Sequence, residues 1–404
     1  MMPLLSALNQ RGELVMLTKR FTRNELQNLR ASNTFYCRDC REPLILKIGN
    51  QITPHFSHYR HSDCVNSSEP ESPMHLQGKK DLYLWLKGQD LEVTLEQYIP
   101  SIQQRADLLV RKNGQLFAVE YQCSPIPFRQ IMKRTEGYKS LNILPVWILG
   151  GYPCRKEAGK GPDVFTCTDF QLYFLRYIRK HYFYLFSYFP KKQALCMLFR
   201  MVPASSRRFH ALYDEKPLSS FAFPFTDVQF HTKTFPLSLV DWFSERRNWI
   251  RMKVQFGKAF LDPFLRQVYE SGLHPLFLPS FIGLPLKQMA ICKQHPVVWQ
   301  FYVWKDFSSA IMQKACVSLD EMVSLFFRRV GKKEIELRKT PFVHEKNVVK
   351  VMLFEYAQTL TRLGYWEEAG KTKYMMNKNI CFPKNMEELD GMEHNITLRL
   401  PPIL

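Results

Sequence analysis

The stretch Gln104-Arg105-Ala106-Asp107-Leu108-Leu109-Val110, followed after Lys112-Asn113-Gly114 by Leu116-Phe117-Ala118-Val119-Glu120-Tyr121-Gln122, decides how this chain is read. Two apolar runs joined by Asn-Gly predict a β-hairpin, because such a tight turn needs left-handed backbone at both central residues. Each run carries one acid among apolar neighbours, where an unbalanced carboxylate is costly. The hairpin places Asp107 and Glu120 on adjacent strands. Period-two alternation then puts Glu120 and Gln122 on one face, with Val119 and Tyr121 on the other. Two like charges that close call for a cation between them. Mg2+ or Mn2+, hard ions with oxygen ligands, fit that role and can polarise a phosphodiester and activate a water. The competing reading is a pair of exposed carboxylates on an edge hairpin, or ion pairs with Arg105 and Lys112.

Working outward, Pro73 to Leu86 reads as an amphipathic helix with Leu82, Trp85 and Leu86 toward the core. His75 and Lys79 lie four apart on one face near its start, a spacing that suits either a site or a solvated face. After the hairpin comes a helix carrying Arg134 and Tyr138. The apolar run Leu144-Pro145-Val146-Trp147-Ile148-Leu149 follows and ends at Gly150-Gly151. Lys156 to Asp163, with Gly159, Gly161 and Pro162, reads as a linker. Three regions follow: 1–70, 71–155 and 156–404.

The first region holds Cys37-Arg38-Asp39-Cys40 and, farther on, His55-Phe56-Ser57-His58-Tyr59-Arg60-His61-Ser62-Asp63-Cys64. A C-x2-C turn lets two thiolates reach one zinc ion, and tetrahedral zinc needs four nitrogen or sulfur ligands. Cys37, Cys40, His58 and Cys64 are the expected set, with His55 and His61 as substitutes. A site filled by protein ligands is structural, and a short segment with little core gains folding energy from it. The knuckle is also placed to offer Arg38, Arg41 and Lys47 to DNA. Buried free cysteines beside surface histidines are the alternative.

The 404 residues carry 56 Lys and Arg against 37 Asp and Glu, a formal charge of +19, which favours a polyanionic partner. The 46% hydrophobic and 23% charged content is that of a globular chain with more than one domain. No basic leader opens it, and the greasiest stretch, 171–189, is interrupted by Arg176, Arg179, Lys180 and His181. Neither secretion nor a membrane span is therefore expected, and the cytoplasm is the expected compartment. Its ten cysteines are then reduced thiols or metal ligands.

From 164 on, helical periodicity dominates, as at Val349, Met352, Leu353, Tyr356, Leu360 and Leu363 before Gly364. Ser318-Leu319-Asp320-Glu321 is a capping box. Rings alternate with cations around Trp242, Arg246, Arg247 and Trp249, and again in Phe326-Phe327-Arg328-Arg329-Val330-Gly331-Lys332-Lys333. Stacking rings plus phosphate-neutralising cations suit single-stranded DNA. Amphipathic helices with buried rings and a solvated basic face explain the same pattern.

The order of helix, hairpin, helix and strand resembles the PD-(D/E)xK nuclease superfamily, an αβββαβ restriction-endonuclease-like α/β core. Asp107 matches its first acid and Glu120 its second. Gln122 stands at the lysine position, where its amide can position the attacking water but supplies no positive charge; Lys79 or Arg134 is then the expected source of that charge. Arg134 and Tyr138 are spaced like the Q-x3-Y of RecB-type members. More specifically, the chain resembles the competence protein CoiA family. That resemblance rests on Cys37-x2-Cys40, His55-Phe56-Ser57-His58, His75-x3-Lys79, Arg105-Ala106-Asp107, Val119 to Ser124, Phe128 through Arg134 to Tyr138, and Val146 to Leu149. Phe281 to Pro285 and Pro296 to Gln300 extend it. It implies a cytoplasmic protein of naturally transformable bacteria that acts on incoming single-stranded DNA and promotes its recombination alongside RecA-type machinery. Two forms are expected: a metal-dependent deoxyribonuclease, or a non-catalytic DNA-binding mediator on a degenerate nuclease fold.

Overall fold

A computed structural model describes every residue except 1–2, 19–20, 50–52, 60–63, 65–71, 158–162, 179–181, 226–236, 259–260, 315, 378–379, 381 and 401–404. His61 and the centre of the expected linker lie outside the described residues. The chain divides into two compact units. One is Met1–Pro153 with Phe186–Met197 and Asp214–Phe230; the other is Cys154–Leu185 with Leu198–Tyr213 and His231–Leu404.

The first unit opens with β1 (Ser6–Asn9), β2 (Leu14–Met16), α1 (Arg23–Ser32), β3 (Phe35–Tyr36), β4 (Pro43–Lys47) and β5 (His55–His58). Its strands form an antiparallel sheet in the order β2-β1-β3-β4-β5. The strands run from two to five residues, and Leu4, Leu5, Ala7, Leu26, Phe35, Leu44, Leu46 and Phe56 form a small core. Such a segment needs another source of stability.

Next come α2 (Pro73–Lys87), β6 (Glu92–Ile99), β7 (Gln104–Lys112), β8 (Gln115–Gln122), α3 (Phe128–Ser140) and β9 (Leu144–Gly150). Ser72 caps α2 by accepting from the His75 amide, and Pro73 takes the first helical position, where its missing N–H costs nothing. β6 and β8 flank β7 antiparallel, with Leu108 opposite Val119. β9 runs parallel to β8 and pairs Trp147 with Glu120. The strand Phe183–Phe189 continues the sheet, parallel to β9, with Ser187 opposite Leu149. Asn113 (φ 50) and Gly114 (φ 78) make the hairpin turn as its sequence requires. Gly78 lets α2 settle on the Tyr121 ring, which a Cβ would strike. That close approach brings His75 and Lys79 down onto β7.

The second unit holds six helices of eight or more residues among the described residues: Leu239–Phe256, Pro263–Glu270, Pro296–Gln313, Leu319–Gly331, Glu345–Arg362 and Met386–Arg399. Ser318 and Glu321 form the reciprocal capping box. Within the stretch read as mainly helical stand three long strands, Phe183–Phe189, Ala194–Pro203 and Arg208–Pro217. The apolar runs of the first two are buried on both faces and lack the alternation that marks a strand. Cys154 and Cys167 form a disulfide, which corrects the expectation of reduced thiols or metal ligands there. Pairing of Arg155–Lys156 with Val164–Thr166 brings the two together. Among the described residues no helix is long and apolar enough to cross a membrane.

Candidate functional site

Asp107 and Glu120 stand one step beyond the Leu108–Val119 pair of the hairpin, 8% and 3% exposed. Different helices serve them. From α2, His75 Nε2 lies 3.4 Å from Asp107 Oδ2 and Lys79 Nζ lies 3.8 Å from Oδ1. The Tyr121 amide donates to Oδ2 at 2.9 Å. Burial alone would raise the Asp107 carboxyl, but His75, Lys79 and that amide outweigh it and hold it well below the usual range.

Glu120 is served from α3. Arg134 Nη2 donates to its Oε1 at 2.5 Å, and the Tyr138 hydroxyl donates to the same oxygen. Burial pushes the Glu120 carboxyl up, Arg134 pulls it back, and the charge on Asp107 pushes it up again. Oε2 has no hydrogen bond among the described residues. Arg134 also donates to the Arg105 carbonyl at 2.8 Å and lies 5.9 Å from the Trp147 ring centroid. Despite burial, Glu120 holds the proton on Arg134 more tightly than usual. Tyr138 is fully buried with Ala106, Ala118 and Ile143, so the packed core fixes its hydroxyl.

The structure thus brings Asp107, Glu120, His75, Lys79, Arg134 and Tyr138 to one end of the hairpin. Gln122 is half-buried, and its amide donates to the Ser124 carbonyl at 2.8 Å, so this donor is bound to its own chain. Lys79 Nζ lies nearer to Glu96 Oε1, at 2.9 Å, than to Asp107. Sequence reasoning missed Glu96. Alternation assigns it to the face opposite Val93 and Leu95, a position that reads as solvent until β1 covers it. Its signal is an acid in a strand otherwise suited to burial.

In the N-terminal sheet, Cys37, Cys40, His58 and Cys64 place their ligand atoms within 4.8 Å of one another. Cys40 Sγ and His58 Nε2 are 3.3 Å apart. Three sulfurs and a nitrogen at that separation fit tetrahedral zinc. Burial raises the Cys37 and Cys40 thiols and lowers His58, disfavouring the charged form of each where no cation balances it. His55 turns its Nδ1 to the Thr53 carbonyl at 2.9 Å, away from the cluster. Arg38, read as offered to DNA, points inward and donates to the Leu95 carbonyl at 2.7 Å.

In the second unit, part of the expected DNA surface is corrected. Arg246 is fully buried and donates to the carbonyls of Ile282, Leu278 and Pro279 at 2.7, 2.9 and 3.0 Å. Arg247 is paired with Asp390 and Glu393, each at 2.6 Å. Arg329 is held by Asp306 and Glu334. Trp242 is buried, and Trp249 stacks on His295 at 4.2 Å. Helical spacing put these cations toward carbonyls and acids of neighbouring segments, which sequence distance conceals. Arg328, Lys332 and Lys333 are exposed.

A mixed sheet with paired buried acids thus follows a Cys3His cluster whose geometry suits a metal ion. Three domains of one family match in chain order: the competence protein CoiA N-terminal domain over 18–67, its nuclease-like domain over 71–229 and its C-terminal domain over 237–389. The chain belongs to the competence protein CoiA family. It is similar to "Competence protein CoiA" of Bacillus subtilis (strain 168), 26% identical over 357 residues, covering 88% of this chain and 93% of that relative. No solved structure matches.

Proposed function

We propose that the chain is a cytoplasmic competence protein acting on incoming single-stranded DNA, with a divalent-metal nuclease site on a restriction-endonuclease-like core. The observation that carries this reading is the pair Asp107 and Glu120. Both are buried, Asp107 is held ionised, and Glu120 keeps an oxygen without a hydrogen bond among the described residues. Asp107 and Glu120 would hold Mg2+ or Mn2+, which polarises a phosphodiester and activates water when bound. On the protein side, Lys79 and His75 keep Asp107 ionised, and Arg134 and Tyr138 orient Glu120. Zn2+ at Cys37, Cys40, His58 and Cys64 is structural. The exposed Arg328, Lys332 and Lys333 contribute phosphate contacts.

A second reading keeps the fold without the chemistry: a DNA-binding recombination mediator working beside RecA-type machinery. Gln122 favours it, because the lysine position carries no charge and its amide is already engaged by Ser124. To separate the two, full-length protein is incubated with end-labelled single- and double-stranded DNA and Mn2+, beside an Asp107→Ala/Glu120→Ala variant. Cleavage slowed about a hundredfold or more in the variant supports the nuclease. Equal binding with no cleavage by either protein supports the mediator.

A further inference from the structure

The metal knuckle and the acidic site are joined by side chains of the first unit. Arg38 and Asp39 are the two residues enclosed by Cys37 and Cys40. Arg38 is anchored on the Leu95 carbonyl of β6, and Asp39 forms an ion pair with Arg105 of β7. Arg105 stands two residues before Asp107, and its own carbonyl receives Arg134, the partner of Glu120. One pair of residues inside the knuckle therefore grips both strands beside the acids.

Glu96 makes the second link. It is 4% exposed and has a left-handed backbone, φ 52. Its carboxylate accepts the Leu5 amide at 3.0 and 3.1 Å, the Ser6 hydroxyl at 3.0 Å and the Lys79 ammonium at 2.9 Å. It thus ties the start of the N-terminal sheet to the lysine that also faces Asp107. Lys79 is fully buried, with Glu96 Oε1 2.9 Å and Asp107 Oδ1 3.8 Å from its ammonium.

We propose that Arg38, Asp39 and Glu96 are positioning residues for Asp107 and Lys79, so that metal loading of the knuckle sets the geometry of the acidic site. The Cys37–Cys40 turn lies between short strands, and its two thiols converge with His58 and Cys64, so a bound metal would be what fixes the turn. A turn that loosens releases Arg105 and takes an anchor from the strand that carries Asp107. The knuckle is on this account an internal clamp, with Arg38 turned toward the protein rather than toward DNA. The inference rests on Asp107 and Lys79 belonging to the proposed site.

Hydrogen exchange of the full-length protein, read by mass spectrometry on peptides covering 73–87 and 104–112, tests it. Two perturbations are compared with zinc-loaded wild type: metal removal by a chelator, and Asp39→Asn, which leaves all four ligands in place. Each is expected to speed exchange in both peptides about tenfold and to leave a 345–362 peptide unchanged. Wild-type protection of 104–112 after either perturbation overturns the proposal. The readout needs no catalysis. Coupling in a protein that never cleaves DNA removes the nuclease reading alone, and cleavage without coupling removes this inference alone.

Discussion

Buried cations meet different partners in the two units. In the first, Lys79 lies between Glu96 and Asp107, and Arg134 is fixed on Glu120. In the second, Arg246 donates to three backbone carbonyls, with Glu393 farther off at 3.9 Å, and Arg338 donates to those of Ala290 and Ser206. A guanidinium on carbonyls satisfies orphan backbone acceptors and staples loops to helices. A cation on a buried carboxylate instead holds a charge where a cation or a substrate can meet it. The guanidinium on carbonyls is architecture; the cation on a buried carboxylate can be chemistry.

The largest effect expected from breaking this contrast is in the second unit. Arg246→Met leaves three carbonyls and part of Glu393 unsatisfied, so stability falls by about 3–5 kcal/mol in thermal or urea unfolding. DNA affinity per folded molecule should not change; a selective loss of binding with stability intact contradicts the buried role.

Glu355 gives the next largest. Burial pushes its carboxyl up to about 7, against 4.5 ordinarily, although the Lys287 amide donates to it at 3.1 Å. A raised folded value means that its contribution is fully present below pH 4.5 and is lost as pH rises through 7. The loss is on the order of 2–3 kcal/mol, and Glu355→Gln should remove it, which unfolding at pH 5 and pH 8 will read.

Much of this organisation is legible without coordinates, because it is local. Asn113-Gly114 specifies a turn, Ser318 with Glu321 a helix start, and Cys37-x2-Cys40 a knuckle. Asp107 and Glu120 are legible because a hairpin joins neighbours in sequence. What escapes depends on distant packing. Glu96 is buried only because β1 arrives from 90 residues away to meet it. Arg246 meets carbonyls 32 to 36 residues on. The strands Phe183–Phe189 and Ala194–Pro203 are buried on both faces, so their period is silent.

Tyr138→Phe is a smaller test, confined to the first unit. It removes one donor to Glu120 and should cost about 1–2 kcal/mol, with Mn2+-dependent activity falling more than stability does. A change in stability alone would assign Tyr138 to the core. The smallest effect on stability belongs to Arg328→Ala/Lys332→Ala/Lys333→Ala, within about 0.5 kcal/mol of wild type because the side chains are exposed. The same variant should reduce the slope of log affinity for single-stranded DNA against log salt by roughly 2. An unchanged slope removes these residues from the interface.

The most direct test is calorimetric titration of Mn2+ into the zinc-loaded full-length protein, beside Asp107→Asn and Glu120→Gln. Expected is one Mn2+ site in wild type, with affinity weakened about tenfold or more in each variant while zinc content stays the same. Equal Mn2+ binding by all three proteins, or none by wild type, contradicts a divalent-metal site at Asp107 and Glu120.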